Sequence, residues 1–316
     1  METVAVVLEQ PGELALRTVA MADPGADDIA VDVAWTGIST GTERLLWSGR
    51  MPNFPGMGYP LVPGYETVGH VSRGGHGFHD GDAVFVPGCN RYQDVRGLFG
   101  GAASRLVVPA NRAVPLRNIE GEAGILIALA ATAHHAIAGE GARIPSLIVG
   151  HGILGRLIAR IAVALGTPAP IVWETNEQRR TGADGYSVID PSTDSRRDHH
   201  AICDASGDGS LLGTLIARLA KGGEVTLTGF YEEPLSFTFP PAFMREARIR
   251  VAAEFTKADS EAVTDLVATG RLSLADLITD RALAAAAPEA YRTAFTDPTC
   301  IKMVIDWRQN SLTAST

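Results

Sequence analysis

The chain is poor in cysteine: three in 316 residues, Cys89, Cys203 and Cys300, far apart and without a CxxC pair. That excludes a disulfide framework and fits a reducing compartment. Basic charge is not in excess either. With 27 Lys and Arg against 36 Asp and Glu, the formal net charge is −9. Such a surface repels phosphate backbones, and no basic stripe offsets it, so nucleic acid is not an expected partner. Long apolar runs are missing. Gly, His or Arg interrupts each apolar stretch before the ~20 residues that a membrane span needs, so no integral membrane segment is expected. The opening Met1-Glu2-Thr3-Val4-Ala5-Val6-Val7 lacks the basic start of a signal peptide and reads as a β-strand. A cytoplasmic protein is expected.

What is present is an apolar chain with regular punctuation. Hydrophobic residues make up 46% and charged residues 20%, as in packed globular proteins, and the length suits two domains. Up to about residue 115 the pattern is β-rich, with Gly and Pro at the breaks. The clearest strands are 4–8, 29–36, 67–72, 83–87 and 104–109, and a small barrel is expected. The stretch 122–139 reads as a buried helix. Beyond it, strands at 147–149, 171–173, 187–189, 201–204 and 224–228 alternate with helices at 157–165 and 211–219. That alternation predicts a doubly wound parallel sheet. Helices at 260–269 and 288–295 and strands near 277–279 and 301–306 follow. The expected division is 1–119, a substrate and catalytic domain, 120–253, a dinucleotide domain, and 254–316, a return segment completing the first.

The dinucleotide reading rests on Gly150-His151-Gly152-Ile153-Leu154-Gly155, placed between an apolar strand and an apolar helix. Gly150 permits the tight turn, Gly152 lets the backbone approach a pyrophosphate, and Gly155 allows close helix–strand packing. The amides of the helix start, with His151, Ile153 and Leu154 on the loop, face the phosphates. Glu174 ends the next strand, 19 residues past Gly155, where a carboxylate accepts from ribose hydroxyls and repels a 2′-phosphate. NAD is therefore the expected cofactor. Arg179 and Arg180 count the other way, as candidate partners of a 2′-phosphate.

The order of a β domain, a Rossmann domain and a return segment resembles the medium-chain dehydrogenase/reductase superfamily. Pro63-Gly64-Tyr65-Glu66-Thr67-Val68-Gly69 is similar to its PGHExxG stretch. Gly81-Asp82-Ala83-Val84, Gly100-Gly101-Ala102-Ala103 and Ala287-Pro288-Glu289-Ala290-Tyr291 are similar to further motifs. The resemblance implies an α/β chain with a GroES-like β-barrel domain before the Rossmann sheet. The departures concern zinc. Thr40 stands at the catalytic Cys position, Tyr65 at the His of PGHE, and Ala128 near the third ligand. Thr, neutral Tyr and Ala are not zinc ligands, and no metal is expected.

A narrower resemblance runs through residues 37–52, 54–66, 95–102 and 254–256, and extends over residues 1 to about 308. It is to the bacteriochlorophyllide a dehydrogenase family. This implies oxidation of the 3-(1-hydroxyethyl) group of a (bacterio)chlorophyllide to 3-acetyl, with NAD as hydride acceptor. Without zinc, the conjugated macrocycle spreads positive charge as hydride leaves. Thr40, Thr42 and Tyr65 then form a hydroxyl relay toward Glu66 or water, with Glu43 an alternative acceptor. Trp47, Met51, Phe54, Tyr59 and Phe99 are the expected pocket for the flat substrate, and Arg44, Arg50, Arg91 and Arg96 the expected partners of its carboxylates. His134 and His135, adjacent on a helix, are expected to face different sides. His199 and His200 are expected at the surface before a strand. A homodimer through the Rossmann edge is expected by analogy. The alternatives are a zinc-independent, NADPH-dependent quinone or enoyl reductase and a non-catalytic NAD-binding protein.

Overall fold

The computed structural model describes residues 1–53, 55–117 and 119–308. Phe54, one of the expected pocket residues, lies outside them. The chain divides into two units, Met1–Ala128 with Ala275–Thr316, and Leu129–Leu274. The expected boundaries at 119 and 253 move accordingly. The later shift has a visible cause: Asp259, opening the helix Lys257–Ala268, accepts hydrogen bonds from His134 and His135 on the helix Ile127–Ala138. Both histidines therefore reach one carboxylate, against the expectation that they diverge. Long side chains one position apart can converge on a group set between their two directions.

In the first unit, the strand Asp28–Ile38 is the spine. It pairs antiparallel with Thr67–Arg73, Arg105–Pro109 and Met303–Asp306. The full sheet order is Asp280–Leu283, Met303–Asp306, Asp28–Ile38, Thr67–Arg73, Ala83–Val86, Val114–Pro115. A smaller sheet runs Glu13–Ala20, Glu2–Gln10, Leu61–Val62, Arg96–Gly97. Alternating Val, Ile and Ala on these strands bury a common core, in which Ile29, Val31, Val84 and Leu106 are fully enclosed. The strand expected at 277–279 begins at Asp280 instead. The Thr279 hydroxyl accepts from the amides of Ile301 and Lys302, which ties that stretch down before the ladder starts at Asp280 and Met303.

In the second unit, six strands form one parallel sheet in the order Ser187–Ile189, Ile171–Trp173, Leu147–Val149, His199–Asp204, Leu219–Leu227, Arg248–Val251. The order reverses at Leu147–Val149, whose carboxyl end is thus a topological switch point where open α/β sheets take ligands. Short apolar runs such as Leu147-Ile148-Val149 are buried on both faces, as a parallel sheet requires. His199 opens its strand and is fully buried, not exposed as expected, with Nδ1 bonded to the Ser146 hydroxyl at 2.9 Å. The sequence Gly121–Ala138 is long and apolar enough to cross a membrane, but 61% of it is buried within the protein.

Candidate active site

Gly37 and Ile38 end the spine strand, Ser39 opens the turn after it, and the helix Thr42–Ser48 follows. Gly37 is there for space. A Cβ on it would lie 2.1 Å from Glu66 Oε2 and 2.8 Å from Ile125 Cδ1. Its lack of a side chain lets Glu66 sit fully buried under the turn. There the Lys302 ammonium, also fully buried, donates to both Glu66 oxygens at 2.9 and 2.6 Å and to the Ile38 carbonyl at 3.1 Å. Burial pushes the Glu66 carboxyl up, and Lys302 opposes that rise. The expected relay into Glu66 does not form. Its oxygens are held by an ammonium, which makes a closed ion pair rather than a proton sink.

The hydroxyls form their own group. Tyr65 OH and Ser39 Oγ share a hydrogen bond at 2.7 Å, and Thr42 is a further hydrogen-bond partner of Tyr65. Thr40 and Thr42 are half-buried beside exposed Gly41, so this group reaches the surface. Burial and the nearby Glu66 and Glu43 push the Tyr65 phenol well above its ordinary value. At neutral pH Tyr65 therefore keeps its proton and stands as a neutral hydroxyl. Ser39 was not among the expected site residues, although it stands one residue before Thr40.

Glu43, the second carboxyl, is fully buried. It accepts from the Ser39 amide at 2.9 Å and from Tyr291 OH at 2.8 Å. Burial pushes its carboxyl up to about 7, with Glu66 adding to the rise, while the Ser39 amide, Tyr291 and Lys302 oppose it. Tyr291 and Lys302 lie 248 and 236 residues from their partners, beyond the reach of any local sequence signal.

The expected pocket residues divide. Phe99 stands edge-on to Tyr65, ring centroids 5.2 Å apart, and is half-buried. Met51 instead packs into an apolar cluster with Leu8, Leu45, Leu46, Leu61 and Leu98. Tyr59 donates its hydroxyl to the Leu46 carbonyl, and Trp47 packs against Phe295 at 5.6 Å. These three stabilise the loop that follows the turn. Arg91 is paired with Asp28 at 2.8 Å, whereas Arg44 and Arg96 are exposed.

In the second unit, the glycine loop has the geometry that a dinucleotide needs. Gly150 has a positive φ of 93°, and a Cβ on Gly155 would lie 1.9 Å from the Gly150 carbonyl. Nothing lies within 4 Å of the Cβ position of Gly152, so its backbone is open to approach. The helix Ile153–Ala164 starts there with no side-chain cap, leaving the first-turn amides of Ile153 and Leu154 for an anion. Glu174 is buried and oriented, accepting from the amides of His151 at 3.0 Å and Asn176 at 2.8 Å.

The His151 ring turns inward and does not face the phosphate side. Its Nδ1 meets the Arg179 carbonyl at 2.6 Å and its Nε2 meets Tyr186 OH at 2.8 Å. A carbonyl only accepts, so Nδ1 carries the proton and Nε2 accepts from the phenol. Burial lowers the ring to about 4, and it is neutral at pH 7. Arg180 is spent on the Glu174 and Thr175 carbonyls and on Asp190.

No group of three or more His, Cys, Asp or Glu that could hold a metal ion occurs among the described residues. Thr40 and Tyr65, which the resemblance sets at zinc-ligand positions, and Ala128, which it sets near the third, do not have side chains that fit that ion.

Residues 25–118 match the family model of the alcohol dehydrogenase GroES-like domain. The chain is 54% identical over 315 residues to the 2-desacetyl-2-hydroxyethyl bacteriochlorophyllide A dehydrogenase of Cereibacter sphaeroides, covering 98% of this chain and 99% of that protein. It is likewise 54% identical over 311 residues to the enzyme of the same name from Rhodobacter capsulatus, with 98% and 99% covered. Among solved structures, an Escherichia coli alcohol dehydrogenase complexed with NADH superposes with a TM-score of 0.81. It is 20% identical and is covered to 99%, against 96% of this chain.

Proposed function

The chain belongs to the 2-desacetyl-2-hydroxyethyl bacteriochlorophyllide A dehydrogenase family, and from that premise we propose that it oxidises the hydroxyethyl side chain of a (bacterio)chlorophyllide to acetyl, with NAD and without zinc. The observation that carries this reading is 54% identity over 98% of the chain, together with a hydroxyl group of side chains where zinc ligands would stand. The first unit supplies the alcohol site and the second the cofactor site.

When bound, the dinucleotide supplies the acceptor for the hydride. Gly150, Gly152 and the amides of Ile153 and Leu154 would hold its pyrophosphate, and Glu174 its ribose. Two observations support NAD over NADP. The Glu174 carboxylate is fixed by two amides, and Arg180 is committed elsewhere. Tyr65 orients the carbinol hydroxyl, Phe99 bounds the flat substrate beside it, and the Ser39–Tyr65–Thr42 hydroxyls pass the released proton toward water at Thr40 and Gly41. Because Tyr65 stays neutral, the alcohol is not turned into a full alkoxide first. The conjugated ring accommodates the charge, and simple aliphatic alcohols should be poor substrates.

We also propose a homodimer. The strand Arg248–Val251 ends the sheet order, with Ile249 and Val251 exposed by 40% and 71%. Phe239, Phe243 and Met244 on the preceding helix Phe239–Arg245 are exposed by 66–71%. An unpaired strand edge needs backbone hydrogen bonds, which another strand offers and lipid does not. The three cysteines are free and buried, as suits a reducing cytoplasm.

The test is anaerobic turnover of 3-(1-hydroxyethyl) bacteriochlorophyllide with NAD. The expected result is an acetyl product, seen as a red shift of the long-wavelength band, with one NADH formed per product. NADH-free conversion, or no conversion of this pigment while another alcohol is oxidised, would refute the assignment.

A further inference from the structure

The alcohol site rests on an unbalanced set of buried charges. Glu43, Glu66 and Lys302 are all fully buried in the first unit. Lys302 is bonded to Glu66. The donors on Glu43 are neutral: the Ser39 amide and the Tyr291 phenol. Among the described residues, an ionised Glu43 is thus an anion with no cation bonded to it, Lys302 acting on it only at a distance. It is also linked to the Tyr65 hydroxyl through one residue, since Ser39 donates its amide to Glu43 and shares its hydroxyl with Tyr65. A zinc ion would place positive charge at this point and favour an alkoxide. This site places negative charge there.

We propose that Glu43 is an electrostatic positioning residue for hydride removal, its carboxylate stabilising the positive charge that develops on the carbinol carbon. This rests on the function proposed above. The C–H bond breaks and its electron pair leaves with the hydride to the nicotinamide acceptor. The carbinol oxygen closes to a carbonyl, and its proton leaves along the Ser39–Tyr65–Thr42 hydroxyls. One alcohol is oxidised, one dinucleotide is reduced and one proton is released. Glu43 does not take the proton. Its two oxygens face an amide and a buried phenol, neither of which is the carbinol.

The groups facing Glu43 define its titration. They are the Ser39 amide from its own turn, Tyr291 from the helix Ala287–Thr296, Glu66 and Tyr65 ahead of the strand Thr67–Arg73, and Lys302 ahead of Met303–Asp306. On this proposal ionised Glu43 is the active form, and kcat should rise with pH through about 7 and then level. Replacing Glu43 by Gln removes the charge and keeps the shape. Replacing Tyr291 by Phe removes a donor to the charged form and moves its ionisation to higher pH.

The experiment is the pH profile of kcat and KM on the hydroxyethyl pigment at saturating NAD, for the wild type, Glu43→Gln and Tyr291→Phe, with urea midpoints as a folding check. In Glu43→Gln, kcat should fall roughly tenfold or more, as losing a preorganised charge does. KM should stay within about twofold, and the limb near 7 should vanish. In Tyr291→Phe the limb should move alkaline with its plateau kept. A Glu43→Gln enzyme with the wild-type rate and profile, or one that loses KM alone, overturns the proposal. If that variant does not fold, an unmoved limb in Tyr291→Phe overturns it. A wild type that does not turn over the pigment refutes the functional reading instead. In that case the infrared carbonyl band of protonated Glu43, absent from Glu43→Gln, still decides whether the carboxyl titrates near 7, and a band that does not titrate there overturns the proposal.

Discussion

Single side chains divide this site into reacting, holding and supporting groups. In the proposed mechanism Tyr65 acts only by orienting the alcohol. Tyr65→Phe removes one hydroxyl and keeps the ring against Phe99, and kcat should drop about a hundredfold with NAD affinity unchanged. Steady-state rates with a cofactor titration check this, and an unaffected kcat would remove Tyr65 from the chemistry. Glu174 holds. Glu174→Ala removes the repulsion of a 2′-phosphate, and the ratio of kcat/KM for NAD over NADP should fall roughly tenfold. Tyr65 and its neighbour Ser39 were within reach of the sequence because both sit in short motifs, and the structure brings them together. Lys302 and Tyr291 were not legible. Their partners arrive from the other end of the chain, and only the folded sheet brings them together. The inward turn of His151 was equally hidden, since its partners Arg179 and Tyr186 belong to the next βα segment.

At the scale of elements, two buried polar joints hold the pieces. One is the Glu66–Lys302 pair, which fastens the last strand beneath the reactive turn. Lys302→Met would leave Glu66 buried without a cation and should cost about 3–5 kcal/mol, measured by urea unfolding. The other is Asp259, which caps the helix Lys257–Ala268 in a capping box with Thr256 and accepts from both His134 and His135. Burial works against its ionisation, but the bonds from Thr256, His134 and His135 overcome that and hold the carboxyl at about 2, below its ordinary 3.8. A depressed carboxyl stabilises the fold above its unfolded value and loses that contribution as pH falls. Asp259→Asn should therefore cost ~1–2 kcal/mol at neutral pH. The deficit should shrink as pH drops from about 4 toward 2, seen in denaturation midpoints across that range. Strongly periodic elements were readable from sequence, including Ile171–Trp173 and Ser187–Ile189 at their exact bounds. The helix Phe239–Arg245 was missed. Its two prolines sit in the first turn, where a missing N–H costs nothing, so they do not stop the helix.

For the whole molecule, the sheet edge and the metal are the open physical questions that experiment can answer. Pairing through Arg248–Val251 predicts a dimer at micromolar concentration in sedimentation, and Val251→Lys with Phe243→Ser should give monomers whose cofactor binding persists. A wild-type monomer at that concentration would reject the pairing. The division into a β-rich and a doubly wound unit followed from hydrophobic period and glycine spacing. The boundary at Leu274 did not: Asp259 bonds to His134 and His135, Arg271 donates to the Ala164 carbonyl and Arg160 to the Ser273 carbonyl, contacts that composition does not show. The most direct test of alcohol oxidation on hydroxyls alone is the pigment assay on enzyme stripped with chelator, its metal content measured in the same sample. Full turnover with less than stoichiometric zinc, unchanged when zinc is returned, is the predicted result. Turnover that disappears on stripping and reappears with zinc would contradict it.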